Sequence, residues 1–154
     1  MKKLVLLLLV ITAITAGCKK YPDGPLISFR SAEKRLYGTS KLTTYTVNGV
    51  DSLSLYYDSL CLNFRFWYND VSYHNDCNIE GRRKDGNLCI LIWTWDLINS
   101  NKILKVTSSG GGLGTGPFGN NKTPEWEILE LKWNDIKMQT NYNGKEYYIE
   151  LKGN

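Results

Sequence analysis

Residues 135–152 read Asp-Ile-Lys-Met-Gln-Thr-Asn-Tyr-Asn-Gly-Lys-Glu-Tyr-Tyr-Ile-Glu-Leu-Lys, and this stretch decides the fold. Its central dipeptide, Asn143-Gly144, is a strong signal for a two-residue hairpin turn, because both residue types tolerate positive φ angles. After the turn, alternate residues share one face of a strand: Tyr147, Ile149 and Leu151. The stretch therefore predicts two antiparallel strands, 135–142 and 145–152, with one buried face.

The same period of two continues toward the N-terminus, most cleanly at 60–68. The other predicted strands are 41–47, 60–68, 72–81, 88–95, 102–107 and 125–133. A short helical turn is expected at 31–36, where good helix formers precede Gly38. About eight short strands with hairpin-length links indicate an all-β, antiparallel up-and-down meander. Such a sheet avoids exposed edges most simply by closing into a small barrel.

Two segments of this meander differ from the rest. Residues 88–95 are apolar on both faces, which indicates either a central strand or a strand whose outer face is covered. Residues 108–119 are rich in glycine, which predicts a long loop at the barrel rim. A phosphate-binding loop is not favoured there, because Gly119 is followed by Asn-Asn rather than Lys-Ser/Thr.

The first 17 residues have the features of a secretory signal peptide. Lys2 and Lys3 supply the positive start, and the apolar run 4–14 is shorter than the roughly 20 residues a membrane span needs. Thr15-Ala-Gly-Cys18 resembles the lipobox of bacterial lipoproteins, in which diacylglycerol is attached to the cysteine sulfur before cleavage on its N-terminal side. We predict lipidation at Cys18; the alternative is a plain secretory signal that leaves an ordinary thiol.

Residues 18–30 follow as a predicted flexible stalk, because they contain turn formers and no apolar periodicity. The domain itself is expected at 31–154. Surface-exported lipoproteins of the Bacteroidetes tend to carry acidic residues just after the lipidated cysteine, whereas Lys19 and Lys20 stand here. We therefore expect a lipid anchor in the outer membrane of a bacterial cell envelope, with the protein facing the periplasm.

The size and the charge of the chain limit the kinds of function that it can have. Removing 17 of the 154 residues leaves 137, which suits one domain with a proper core, and removing Lys2 and Lys3 lowers the formal charge from +4 to +2. Basic and acidic residues are interspersed, which argues against a nucleic-acid partner. With one histidine in the chain and no zinc spacing, neither a metal site nor a cofactor is expected.

Three cysteines remain after Cys18, and an oxidising envelope favours one disulfide and one thiol. If 60–68 and 72–80 form a hairpin, Cys61 and Cys77 lie on neighbouring strands about one pair out of register, and they are the preferred pair. Cys89 lies in an apolar run and is expected to be a buried small hydrophobe.

Four stretches together resemble the lipocalin-like lipoproteins common in Bacteroidetes: Cys18–Pro25, Leu36–Asp51, Trp126–Leu131 and Gly144–Lys152. The resemblance implies a small up-and-down β-barrel and transfers no catalytic residue. Relatives usually have Gly-x-Trp near the first strand, where the tryptophan plugs one end of the barrel. Here the third residue is Ser40, and Trp67, Trp93 and Trp133 are candidates to fill that end.

No set of side chains has convincing catalytic spacing. Asp70, Ser72 and His74 would line up along one strand instead of converging on a nucleophile. Glu125 and Glu127 alternate around Trp126 as a solvated face does, and Glu130 is the third carboxylate of that strand. We therefore predict a protein without enzymatic activity, with a hydrolase as the least favoured alternative.

Aromatic residues carry the functional prediction, because an eight-stranded barrel either fills its interior with large side chains or keeps a small apolar cavity. The leading hypothesis is binding of a small apolar or amphipathic ligand. The candidate lining residues are Phe64, Phe66, Trp93, Trp126, Ile128, Met138 and Tyr147. The alternative is an envelope interaction module with a filled core. Such a module would bind a protein or glycan through outer aromatics such as Trp67 and through the Gly-rich loop.

Overall fold

The computed structural model describes residues 21–22, 30–56, 63–67, 75–82, 84–108, 123–133 and 135–153. These residues form short helices and antiparallel strands. In chain order the elements are α1 Ala32–Leu36, β1 Gly38–Val47, β2 Val50–Asp51, α2 Leu53–Tyr56, β3 Asn63–Trp67, β4 Asn75–Arg82, β5 Leu88–Ile98, β6 Ile103–Ser108, β7 Glu125–Leu131, β8 Ile136–Tyr142 and β9 Lys145–Gly153. The prediction of an all-β fold with a short N-terminal helical turn is confirmed.

The strands form one up-and-down sheet that closes on itself. Neighbours pair in the order β2-β1-β3-β4-β5-β6-β7-β8-β9, and β1 also pairs with β9. The two-residue β2 pairs only with the C-terminal part of β1, so eight strands make up the ring. The predicted meander, closed into a small barrel, is confirmed.

The shortest described seam of this ring lies between β6 and β7. Only Ile103, Leu104 and Lys105 pair there, with Glu127, Trp126 and Glu125 respectively. Two flanking backbone bonds extend the seam, one from the Val106 N–H to the Pro124 carbonyl and one from the Ile128 N–H to the Lys102 carbonyl. Because this seam has few backbone hydrogen bonds, side-chain packing contributes more to closing the barrel here than at the longer strand pairings.

The barrel has two distinct ends. The hairpin end carries the turns at 48–49, 84–87 and 143–144; Asn48 and Asn143 both have φ of 51°, and each precedes a glycine with positive φ, as the Asn-Gly pattern predicts. The helix end carries α1, the β5–β6 turn at 99–102 and the β7–β8 turn at 132–135. Because strand direction alternates, every described tight turn falls at one of these two ends.

Helix α1 begins at a standard cap and covers the helix end. The Ser31 side chain accepts a hydrogen bond from the backbone N–H of Lys34, which satisfies one of the unpaired donors of the first turn. Arg35 and Leu36 are buried on one side of the helix, while Lys34 is exposed on the other. The helix is short, and its buried side holds it against the barrel.

Inner-face residues alternate as the sequence predicts. In β9 the buried residues are Tyr147, Ile149 and Leu151, and in β8 they are Ile136, Met138 and Thr140. Trp93 and Trp95 occupy the inner face of β5. The outer face of β5 is different: Leu88, Ile90 and Ile92 are 67%, 56% and 56% exposed. Strand β5 is therefore a central strand, paired on both sides, whose outer apolar face is open to solvent.

Candidate functional site

The barrel interior is the candidate site, and it brings together the described lining residues predicted from sequence. Trp93, Trp126, Ile128, Met138 and Tyr147 are all buried members of one hydrophobic cluster. The side chains of Phe64 and Phe66 lie outside the described part. Their backbone positions are set by register: Phe64 pairs with Ser40 and Ile79, both fully buried, and Phe66 pairs with Gly38 and Cys77.

The helix end of the interior is closed. Leu36, Tyr21 and Ala32 are 0–2% exposed there. The buried Arg35 guanidinium fixes the closure by donating to the Leu131 carbonyl at 2.8 Å and to the Ser31 carbonyl at 3.4 Å. Such charge-assisted bonds hold α1 against the end of β7.

The hairpin end is the less tightly covered end of the interior. The inner-face residues with 4–7% exposure are Tyr45, Val106, Thr140 and Tyr147, and each lies in the half of its strand nearest this end. The Tyr45 and Tyr147 rings are neighbours, with centroids 6.2 Å apart and planes tilted by 30°. Access to the interior is therefore expected between the turns of the hairpin end.

The chemistry of this half is apolar with a few hydroxyl groups. Among its described inner-face residues none carries a formal charge; they include Tyr45, Val47, Ile79, Val106, Trp126, Thr140, Tyr142 and Tyr147. The Thr140 hydroxyl donates to the Glu125 carbonyl at 2.8 Å, so its hydrogen is already engaged. Such a lining favours a ligand with an apolar body, since a charged group would lose its hydration without gaining an ionic partner.

The predicted aromatic positions divide between interior and surface. Trp67 and Trp133 are 37% and 56% exposed, so neither fills the barrel. Trp93 is buried, and Trp95 is buried beside it on β5, where its Nε1–H donates to the Asp76 carbonyl at 3.1 Å. Ser40 itself is fully buried on β1. Strand β5 therefore supplies large tryptophan side chains to the interior, whereas β1 has the small residue Ser40 at the position where relatives usually have tryptophan.

The other residue sets considered from the sequence do not form a second candidate site among the described residues. Asp70, Ser72 and His74 lie outside the described residues, as does the Gly-rich segment 109–122. Glu125 and Glu127 are exposed, as predicted for a solvated face. Within the described ranges there is no group of three His, Cys, Asp or Glu side chains that could hold a metal ion.

Glu130 differs from the other two carboxylates of β7, because it is buried whereas Glu125 and Glu127 are exposed. A bulge between Ile128 and Glu130 shifts the alternation of β7, so Glu130 pairs with Lys137 on the outer face while Leu131 takes the inner-face position opposite Ile136. Its carboxylate forms ion pairs with Lys132 and, at 2.9 Å, with Lys137. Burial alone raises the pKa of Glu130, but hydrogen bonds from both lysines and their charges outweigh it, so the pKa lies below its ordinary value.

Replacing Glu130 by Gln is expected to lower the free energy of unfolding at pH 7 by about 1–2 kcal/mol, a value reduced because both lysines are partly exposed. The pKa of Glu130 is lower in the folded protein than the ordinary glutamate pKa of about 4.3. The charged carboxylate therefore stabilises the folded protein at pH values above that ordinary pKa, and this stabilisation is lost as the pH falls through the pKa of the folded protein. The difference between the two proteins should therefore vanish in acid. Chemical unfolding across pH measures this. Glu127→Gln, at an exposed carboxylate, is the control; an equal loss there would contradict the assignment.

Cys77 lies on the inner face opposite Phe66 and is a free, buried thiol. Burial raises its pKa well above the usual thiol range, which makes it a poor nucleophile. The free Cys77 thiol speaks against the predicted Cys61–Cys77 disulfide, while Cys61 itself and the Cys89 side chain lie outside the described part. Counting thiols in the denatured, unreduced protein decides it.

Of the two described helices, neither has the length and apolarity of a membrane span. No family model matches the chain, and no curated protein matches it. Two solved structures are similar. A lipocalin-like protein from Bacteroides uniformis ATCC 8492 has a TM-score of 0.47 at 14% identity, covering 75% of this chain and 97% of that one. An uncharacterized protein from Bacteroides eggerthii DSM 20697 has a TM-score of 0.45 at 14% identity, covering 75% and 98%.

Proposed function

We propose that this chain is a lipid-anchored, non-enzymatic, lipocalin-like envelope protein that binds a small apolar or amphipathic molecule inside its barrel. The observation that carries the proposal is the asymmetry of the interior. One end is sealed by Leu36, Tyr21 and Arg35, while the uncharged aromatic lining comes nearest to solvent at the other end, around Tyr45 and Tyr147. An apolar ligand entering there exchanges hydrated surface for ring contacts.

The anchor belongs to the same proposal. A diacylglyceryl group on Cys18 buries enough CH₂ groups, at about 0.8 kcal/mol each, to hold a folded domain at a membrane without a spanning helix. The test is fractionation of cells that express the full chain or Cys18→Ser. The substituted protein is expected to leave the membrane fraction; retention there would contradict lipidation.

Ligand binding is tested by native mass spectrometry of the full mature chain, incubated with and without an envelope lipid extract. A defined adduct that is lost on denaturation supports the proposal and gives the ligand's mass. A protein that stays bare, with an unchanged melting temperature in the extract, counts against it.

Val106→Phe is expected to weaken binding of the adduct by about tenfold or more, because the ring fills the interior close to the hairpin end. Thr107→Phe is the matched control: it places the same ring on the next residue of β6, which faces outward and is half-buried. Titration of each variant with the identified lipid measures the two affinities. Equal weakening in both variants would place the ligand outside the barrel.

One observation favours the second candidate function, an envelope interaction module. The outer face of β5 exposes Leu88, Ile90 and Ile92 in a row, and apolar rows of this kind are typical of surfaces that contact a partner. A filled interior would leave this face and Trp67 as the working surface. Bare protein in the mass spectrum, together with cross-links to an envelope protein or glycan, would favour this function.

A further inference from the structure

The segment that leads from Cys18 into the barrel is tied down at Tyr21. Its side chain is 1% exposed, and its hydroxyl donates to the carbonyl of Asn101 in the β5–β6 turn at 2.9 Å. The Arg35 guanidinium of α1 lies 5.5 Å from the centre of the Tyr21 ring, and the same guanidinium donates to the Leu131 carbonyl. Tyr21 is thus fixed to the helix end of the barrel through two different elements.

The tether between this fixed point and the anchor is short. Cys18 and Tyr21 are three positions apart in the chain, so the connection spans at most about 11 Å when fully extended. The hairpin end lies farther away by the height of the barrel, on the order of 20 Å for tilted strands of this length. A lipid on Cys18 therefore keeps the helix end close to the bilayer, whereas the hairpin end can lie far from it.

The surface around Tyr21 has the chemistry that a bilayer surface selects. Its exposed cations are Arg30, Lys34, Lys102 and Lys132, and the chain adds Lys19 and Lys20 next to the anchor. Trp133 is 56% exposed at the same end, with the Arg30 guanidinium 3.7 Å from its ring centroid. An amphipathic ring beside a cation is suited to the headgroup region.

Nearby acidic groups do not neutralise the positive charge of this surface. Glu130 is shared by Lys132 and Lys137, Asp135 pairs with Lys152 at 3.6 Å, and Asp96 stands opposite Lys105 in register. Glu33 lies on α1 beside the exposed Lys34. A positive surplus therefore faces the side from which the lipid emerges, and anionic headgroups complement it.

We propose that the helix end of the barrel rests on an anionic lipid surface, with Tyr21 as the residue that sets this orientation, so that the hairpin end points away from the membrane. The inference rests on lipidation of Cys18 and deepens the proposed function. It means that a ligand reaches the interior from the aqueous side rather than directly from the bilayer on which the protein stands.

The test uses the full lipidated chain in vesicles of phosphatidylethanolamine and phosphatidylglycerol that carry a headgroup-attached short-range quencher. A fluorophore is placed by Lys102→Cys at the helix end or by Lys145→Cys at the hairpin end; both are exposed lysines. The unsubstituted chain gives the background from native cysteines. Quenching is expected to be several times stronger for the Lys102 label, and Tyr21→Ala should bring the two labels close to equality.

Tyr37→Ala is the matched control, because Tyr37 is 51% exposed and follows α1 directly; it should preserve the difference between the labels. Tyr21→Phe, which removes only the hydroxyl, should reduce the difference and serves if Tyr21→Ala does not fold. Equal quenching of both labels on vesicle-bound protein overturns the orientation while the anchor stands. An unchanged difference in the Tyr21 variants overturns the role of Tyr21. Protein that does not float with the vesicles overturns the anchor, and the orientation with it.

Discussion

Replacing Trp126 by Ala is expected to lower the free energy of unfolding by about 4 kcal/mol, the largest effect predicted for a single substitution in this protein. Trp126 is 1% exposed and pairs with Leu104 across the β6–β7 seam. The short backbone ladder there gives the sheet little else with which to close. A domain stability of roughly 5–15 kcal/mol would be largely removed by this change.

Chemical unfolding followed by circular dichroism measures the effect. Trp133→Ala is the matched control, since it removes the same side chain from the surface, where its contact with Arg30 contributes about 0.5–1 kcal/mol. A loss for Trp126→Ala as small as the control would show that the seam does not depend on the ring. A loss below about 3 kcal/mol would instead indicate spare room around Trp126, since the cost of truncation falls when the cavity left behind is small or can relax.

Leu36→Ala is expected to cost about 3 kcal/mol of unfolding free energy. Leu36 is fully buried on α1 at the helix end, and alanine preserves the helix, so the loss reports the removed packing and the cavity that replaces it. The same substitution should also loosen the plug that α1 forms under the barrel. Amide hydrogen exchange is therefore expected to rise first in α1 and at the end of β7.

Leu55→Ala is the control for this prediction, because Leu55 is 61% exposed on the short helix α2. It should change the free energy of unfolding by no more than about 0.5 kcal/mol. If the Leu36 variant were as stable as the control, the helix end would not be a packed plug, and the interior would be accessible from both ends.

Alternation and turn chemistry made most of the fold predictable. Asn48-Gly49 and Asn143-Gly144 form the turns that their residue types indicate, and the strands of the C-terminal hairpin lie within one residue of their predicted bounds. Interior positions such as Trp126 and Tyr147 followed from the same period of two, whereas 88–95 is apolar on both faces and its pattern did not show which face is buried. Period-two patterns are local, so a sequence displays them directly.

Glu130 and Tyr21 could not be found in this way. The surroundings of Glu130 depend on a bulge that places it opposite Lys137, and on ion pairs with lysines from the next turn and from β8. The burial of Tyr21 depends on Asn101, eighty residues away in the chain. Neither residue has a local pattern that distinguishes it from a solvated glutamate or a tyrosine in a flexible segment.

The sequence by itself determined that the chain is an all-β meander with a short helical start, because hydrophobic period and turn residues act over a few neighbouring positions. Only the tertiary structure decided which end of the barrel is sealed, where the uncharged lining comes nearest to solvent, and where the N-terminal segment is fixed. These features arise from contacts between residues far apart in the chain, and they exist only once the ring has closed.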